Sequence, residues 1–372
     1  MNAKDREKTL SALVAMMRLV RGGNDATAFE IVAAAKPENI VSMASAHKLL
    51  PSIAPALELA QVKAMIDSDL IEFFQFMRKE NVARNKILLK QLSSLAAGFE
   101  VQGLKPPVAL KGVAFLLESQ RNISDRFMID IDFLVTPNDF EAVIDAMREM
   151  NYTPQSGISF DAQTDLHYPA FIHPNYDGSV EIHCKLSQND TVNWLKWDAL
   201  LSRSKLISLP ESAIYLPDNE WRLSHLVYHS QVNGHYYNRR IISLRDCLDY
   251  FDLATRQDVD LVSVRNNFSE IHTLDEFDGL AAFAGSLFDE LQPIDNITSG
   301  GKRWASQSRS VLIHNHTRKI WLLVDWAQLV TKRFFDINAW RAAFRLVSNK
   351  DHLRMRISNW WNQFKNGLGP HG

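Results

Sequence analysis

An α+β fold, with a small sheet-bearing core between two helical regions, follows from three features of the 372-residue chain. A strand with two carboxylates, Asp130-Ile131-Asp132-Phe133-Leu134, lies near the middle. Val108-Ala109-Leu110 before it, and Tyr168 to His173 and Ser179 to Leu186 after it, read as further strands. Both ends of the chain carry apolar residues at helical spacing. The boundaries expected from this are a helical N-terminal region over 1–104, the core over 105–190 and a helical C-terminal region with a basic tail over 191–372.

The composition is 46% apolar and 10% aromatic, ample for a packed core and for two or three domains. A net charge of −2 argues for no particular partner, but the distribution is uneven. Residues 301–372 hold 13 Lys or Arg against three acids. That tail, with Trp321, Trp326, Trp340, Trp360 and Trp361, fits a solvated basic face whose tryptophans reach the core. It also fits a surface for nucleic acid or membrane; the first reading is preferred because no nucleic-acid-binding motif is present. Cys184 and Cys247 lack zinc or CxxC spacing, which excludes a disulfide framework and suits the cytoplasm. The N-terminus has no cleavage signal, and Ile320 to Val330, broken by Asp325, is too short to span a bilayer.

In chain order, Ile66, Leu70, Phe73, Phe74 and Met77, continued by Leu88, Leu92 and Leu95, mark the buried face of a helix. Asp67, Glu72, Lys79 and Glu80 fill its outer side. Pro106-Pro107 marks a break. A strand, the Lys111-Gly112 turn and a helix over Val113 to Leu117 follow. Converging amides at such a turn can take a phosphate, with Lys111 adding charge, although an exposed turn has the same pattern. Strand alternation puts Asp130 and Asp132 on one face and Ile129, Ile131 and Phe133 on the other. Two same-face carboxylates are costly to desolvate and repel each other, so a bound cation is the natural remedy. A helix follows Thr136-Pro137-Asn138-Asp139, buries Phe140, Val143, Ile144 and Met147, and stops at Asn151, which can adopt the left-handed conformation.

Asn175-Tyr176-Asp177-Gly178 is expected to turn a hairpin. On its second strand Glu181 and His183 share a face opposite Val180 and Ile182. Glu181 is then either a third site acid or an edge-strand residue facing solvent. From Asn193 onward the pattern is mostly helical. His225 and His229 share a helix face, but without the Glu of HExxH they read as packing or cleft residues rather than metal ligands.

Taken in order, Leu110-Lys111-Gly112, the strand running from Arg126 through Asp130, Asp132, Leu134 and Val135, and Val180-Glu181-Ile182-His183 resemble the motifs of the bacterial uncharacterised nucleotidyltransferase family. That family falls within the polymerase-β-like nucleotidyltransferase superfamily. The resemblance covers about residues 105–190 and extends more loosely into the helices of His225 and Arg245-Asp246. It implies a mixed-sheet core and metal-dependent transfer of a nucleoside monophosphate from a triphosphate, ATP among the candidate donors, to a hydroxyl or similar acceptor, with release of pyrophosphate. It implies Asp130, Asp132 and Glu181 as catalytic carboxylates holding two Mg²⁺ ions, with Mn²⁺ an alternative. Lys111, Gly112, Arg126 and His183 would bind the nucleotide.

One departure concerns the turn. Many superfamily members have Gly-Ser or Gly-Gly there, whereas no hydroxyl adjoins Gly112, so Lys111 and the turn amides would hold part of the triphosphate. Arg126 is open to two roles, neutralising phosphate or bracing the Asp strand by a salt bridge. His183 would orient Glu181 or line the cleft. The acceptor is open among small molecules, peptides, protein side chains and tRNA ends. The competing reading is a non-catalytic nucleotide- or partner-binding helical protein in which the Asp pair is a structural cation site.

Overall fold

The computed structural model describes residues 1–23, 27–118, 123–155, 160–161, 165–314 and 321. Trp326, Trp340, Trp360, Trp361 and most of the basic tail lie outside the described residues.

Five helices open the chain: α1 (Ala3–Leu19), α2 (Ala28–Ala33), α3 (Pro37–Ala46), α4 (Leu50–Glu58) and α5 (Ala60–Lys63). The long helix α6 (Ser68–Val101) follows, capped by the Asp67 side chain accepting from the Asp69 amide. Leu70, Phe74, Leu88, Leu92 and Leu95 are buried along it, as the spacing predicts. Phe73, expected on the same face, is 37% exposed, because it lies one residue round the helix from Phe74.

Among the described residues, seven strands make one mixed sheet. They are β1 (Val108–Ala109), β2 (Asp130–Leu134), β3 (Thr153–Pro154), β4 (Phe171–His173), β5 (Tyr176–His183), β6 (Ser204–Ser208) and β7 (Ala213–Pro217), ordered β3-β4-β5-β2-β1-β7-β6. β2 runs parallel to β5 and antiparallel to β1, and β1 runs parallel to β7. Between strands lie α7 (Lys111–Leu116), α8 (Phe140–Glu149) and α9 (Trp197–Ser202). Phe140, Val143, Ile144 and Met147 of α8 are buried, and Asn151 takes a φ of +64°, as its position at the helix end predicts.

Two expectations are corrected. The hairpin turns at Pro174-Asn175, and Asp177-Gly178 lies inside β5. Gly178 is there because α6 passes close: a Cβ would stand 2.2 Å from Leu88 Cδ2, and the Gln91 amide donates to the Gly178 carbonyl at 2.9 Å. The second is the β6–β7 hairpin, which the reading of this segment as mostly helical did not single out and which joins the sheet beyond residue 190. Ile214 and Leu216 alternate into the core, a strand pattern too short to stand out from the apolar spacing around it.

The C-terminal half continues with α10 (Asn219–Val227), a π-helical turn over Tyr228–Asn233, α11 (Tyr236–Arg239), α12 (Leu244–Ala254), α13 (Leu261–Glu270), α14 (Leu274–Leu287) and α15 (Ser299–Ile313).

The sheet divides two cores. Ile131, Phe133, Val180 and Ile182 pack with the second half of α6 and with α8. Leu134, Val108 and Leu110 belong to the larger core built with the N- and C-terminal helices. Asp130, Asp132, Glu181 and His183 therefore sit on the sheet face of the larger core. Ile129, expected opposite the acids, precedes the strand and is 42% exposed.

A buried polar layer fastens this face to the helices. Arg126, 4% exposed, pairs through one guanidinium nitrogen with both carboxylate oxygens of Asp249 on α12. Its guanidinium lies 4.4 Å from the centre of the Phe115 ring, and that of Arg222 on α10 lies 4.5 Å from it. Glu118 closes the layer with Arg222 at 3.2 Å and Arg256 at 2.6 Å. Breaking a buried pair leaves an uncompensated charge, so Arg126→Met or Asp249→Asn should each cost about 3–5 kcal/mol in urea unfolding. The double variant Arg126→Met/Asp249→Leu should recover most of that loss; a double variant as unstable as the sum of the singles contradicts the pairing.

Candidate active site

The parallel pairing of β2 with β5 sets Asp132 against Glu181 and Leu134 against His183. Asp132 is 2% exposed. Lys111 Nζ donates to its Oδ1 at 2.7 Å, and His183 Nε2 stands 3.0 Å from the same oxygen. Glu181 Oε2 lies 3.6 Å from Lys111 Nζ and 3.8 Å from His183 Nε2. His167 adds a second imidazole, its Nε2 4.0 Å from Glu181 and its ring 5.1 Å from that of His183.

Lys111 reaches this position from a strained backbone. Its φ is +45°, so the left-handed residue of the turn is the lysine and not the glycine beside it. Gly112 answers a different constraint: a Cβ there would meet Met128 Cγ and Sδ at 3.0 Å. The Leu110 amide donates to the Asp132 carbonyl at 3.0 Å, which locks the turn to β2 one residue before the lysine.

The charges form one coupled set. Burial alone would raise the Asp132 carboxyl, but Lys111 and His183 hold it well below the usual carboxylate range. Glu181 moves the opposite way, pushed up to about 8 by burial and by Asp132 beside it. The two acids thus share one proton at neutral pH, carried on Glu181. Burial lowers His183 to about 4, which leaves its imidazole neutral. Burial opposes the Lys111 ammonium, but Asp132 and Glu181 outweigh it and raise the pKa. Asp130 is raised by burial and by Asp132, and is drawn back by Lys111, Lys48 and Arg245.

Among the described residues, Asp132, Glu181 and His183 offer one donor atom each, all within 4.8 Å of one another, and could hold a metal ion. Two carboxylate oxygens and a neutral imidazole nitrogen are a donor set that suits a divalent cation.

Of the residues singled out in the sequence, Lys111, Asp132, Glu181 and His183 come together. Asp130 shares their face but stands outside the three-residue group. Gly112 is buried against Met128. Arg126 takes the bracing role, paired with Asp249. His225 stacks on Trp221 at 4.8 Å, with the His229 ring 5.9 Å away. Burial pushes His225 down to about 3 and lowers His229, with Lys111 adding to both shifts. Sequence reasoning missed His167 and Lys48 as neighbours of the acids, and reached the Arg245 helix only through the looser end of the resemblance. No local pattern marks them; only the packing of distant segments brings them here.

A family model described as an uncharacterised nucleotidyltransferase matches residues 33–289. No curated protein matches the chain.

A carboxyl whose folded-state pKa is raised favours folding below its ordinary value and loses that advantage as pH rises through the folded value. For Glu181 the window runs from about 4.5 to about 8. Glu181→Gln removes this ionisation. Its stability relative to wild type, measured by urea unfolding, should therefore rise between pH 6 and pH 8.5, by on the order of 1 kcal/mol per pH unit at most. A gap that is constant or shrinks with pH contradicts the assignment.

Proposed function

Because the chain belongs to the uncharacterised nucleotidyltransferase family, and is thus a transferase of phosphorus-containing groups with a nucleotide substrate, we propose that it moves a nucleoside monophosphate from a nucleoside triphosphate to an acceptor hydroxyl in a metal-dependent reaction. The observation that carries this reading is the convergence of Asp132, Glu181 and His183 beside Lys111.

Asp132, Glu181 and His183 would hold the cation, with Asp130 two residues away on the same face. Carboxylate oxygens favour Mg²⁺, while the imidazole nitrogen also admits Mn²⁺. When bound, the metal supplies positive charge to the transferring phosphate. Lys111 offers its ammonium to phosphate oxygens. The acceptor oxygen forms a bond to the α-phosphorus as the bond from that phosphorus to the bridging oxygen breaks. Pyrophosphate leaves with the bonding electron pair. A bound cation would hold Glu181 as the carboxylate, and the hydroxyl proton passes to that carboxylate.

The test is transfer of α-³²P label from ATP, GTP, CTP and UTP into cell extract by the purified protein, with Mg²⁺ or with EDTA. Label should appear with at least one donor in Mg²⁺, with pyrophosphate released, and vanish in EDTA. Asp132→Asn should lower the rate by about 10³-fold or more. Neither transfer nor Mg²⁺-dependent binding with any of the four nucleotides contradicts the proposal.

A further inference from the structure

Two cations on the flanking helical regions act on the carboxylate face from outside the sheet. Arg245 lies in the first turn of α12, and Asp249 follows one turn later, so both project from one side of the helix. Asp249 is buried against Arg126, four residues before Asp130. That pair lays this side of α12 against the chain entering β2 and brings Arg245 towards Asp130.

Lys48 comes from the turn between α3 and α4. The Leu244 amide, at the start of α12, donates to His47 Nδ1 at 3.3 Å. Lys48, the next residue, has a φ of +55°, a conformation that long side chains rarely adopt. The Ser52 hydroxyl on α4 donates to the Asp125 carbonyl, so the same N-terminal helices grip the segment leading into β2. The electrostatics agree with this placement, since Lys48 and Arg245 both act on the Asp130 carboxyl.

Arg245 is not saturated by the protein around it. Its Nε is buried and meets no hydrogen-bond acceptor among the described residues; Asp246 Oδ1 stands 3.8 Å away. A buried guanidinium N–H in that state costs free energy that an anionic ligand would recover. The planar fork of arginine matches phosphate, and an ammonium beside it adds a second point of charge.

We propose that Arg245 and Lys48, one from each flanking helical region, clamp the polyphosphate of the donor nucleotide. This rests on the nucleotidyl-transfer reading above. It assigns the flanking helices part of the substrate site: they hold the pyrophosphate end of the donor while Lys111 and the acids face the transferring phosphate. Arg126, consumed by Asp249, has no part in it.

Inorganic tripolyphosphate is the probe, titrated calorimetrically with Mg²⁺ into full-length wild type, Arg245→Met, Lys48→Met and Arg245→Lys. Binding should weaken at least about tenfold in Arg245→Met and about threefold or more in Lys48→Met. Arg245→Lys, which keeps a charge beside Asp246, should recover part of the loss, and the urea midpoints of Lys48→Met and Arg245→Lys should stay near wild type. Equal affinity in wild type and both methionine variants overturns the clamp, whether or not label is transferred. Weaker binding in the variants together with no transfer by wild type supports the clamp and overturns the transfer reading instead.

Discussion

Asp132 is a carboxylate with almost no access to water, and its burial is tolerated only because Lys111 and His183 reach the same oxygen. Much of the fold serves that arrangement. The opposite faces of β2 and β5 carry Ile131, Phe133, Val180 and Ile182 into the second core. A slip of one residue in the pairing would turn these outward and bury the acids against α6 and α8, so the apolar side fixes the register that sets Asp132 against Glu181. Lys111 meets Asp132 from a positive φ, which costs of order 1–3 kcal/mol and persists only where the surroundings over-determine it. Here the surroundings are the Leu110–Asp132 backbone bond before the lysine and the clamp of Arg126 and Arg222 about Phe115 after it.

The same charges that hold the face together give it chemical capacity. Asp132 stays ionised, Glu181 keeps the shared proton and His183 stays neutral, so three groups of similar type have different protonation states within a few ångströms. The cations are divided in a comparable way. Arg126 is committed to Asp249 and serves the architecture. Lys111 serves the acids. Arg245 keeps a buried Nε that meets no acceptor among the described residues, with Asp246 3.8 Å away.

Much of this face was legible in the sequence because it is local. Alternation along a strand is enough to place Asp130 with Asp132, and Glu181 with His183. The helix stripe of Phe140, Val143, Ile144 and Met147 and the left-handed stop at Asn151 likewise follow from spacing and backbone preference. What escaped was set by distant contacts. Asp177-Gly178 has the look of a turn, but Gly178 is small because Leu88 and Gln91 of α6 press on it from some 90 residues away in sequence. The strand over Ala213–Pro217 is held by parallel pairing with Val108, which no window of sequence contains. Lys48 and Arg245 come near Asp130 only through the His47–Leu244 and Arg126–Asp249 contacts. Arg126 had two readings, phosphate or brace, and only the position of α12 distinguishes them.

The most direct test of the central claim is anomalous scattering from crystals grown with Mn²⁺ and a non-hydrolysable nucleoside triphosphate analogue. A manganese peak within about 2.5 Å of the carboxylate oxygens of Asp132 and Glu181, with the α-phosphate beside it, is the predicted result. Contradiction would be a saturated crystal with no peak there, or manganese bound elsewhere while Lys111 still holds Asp132.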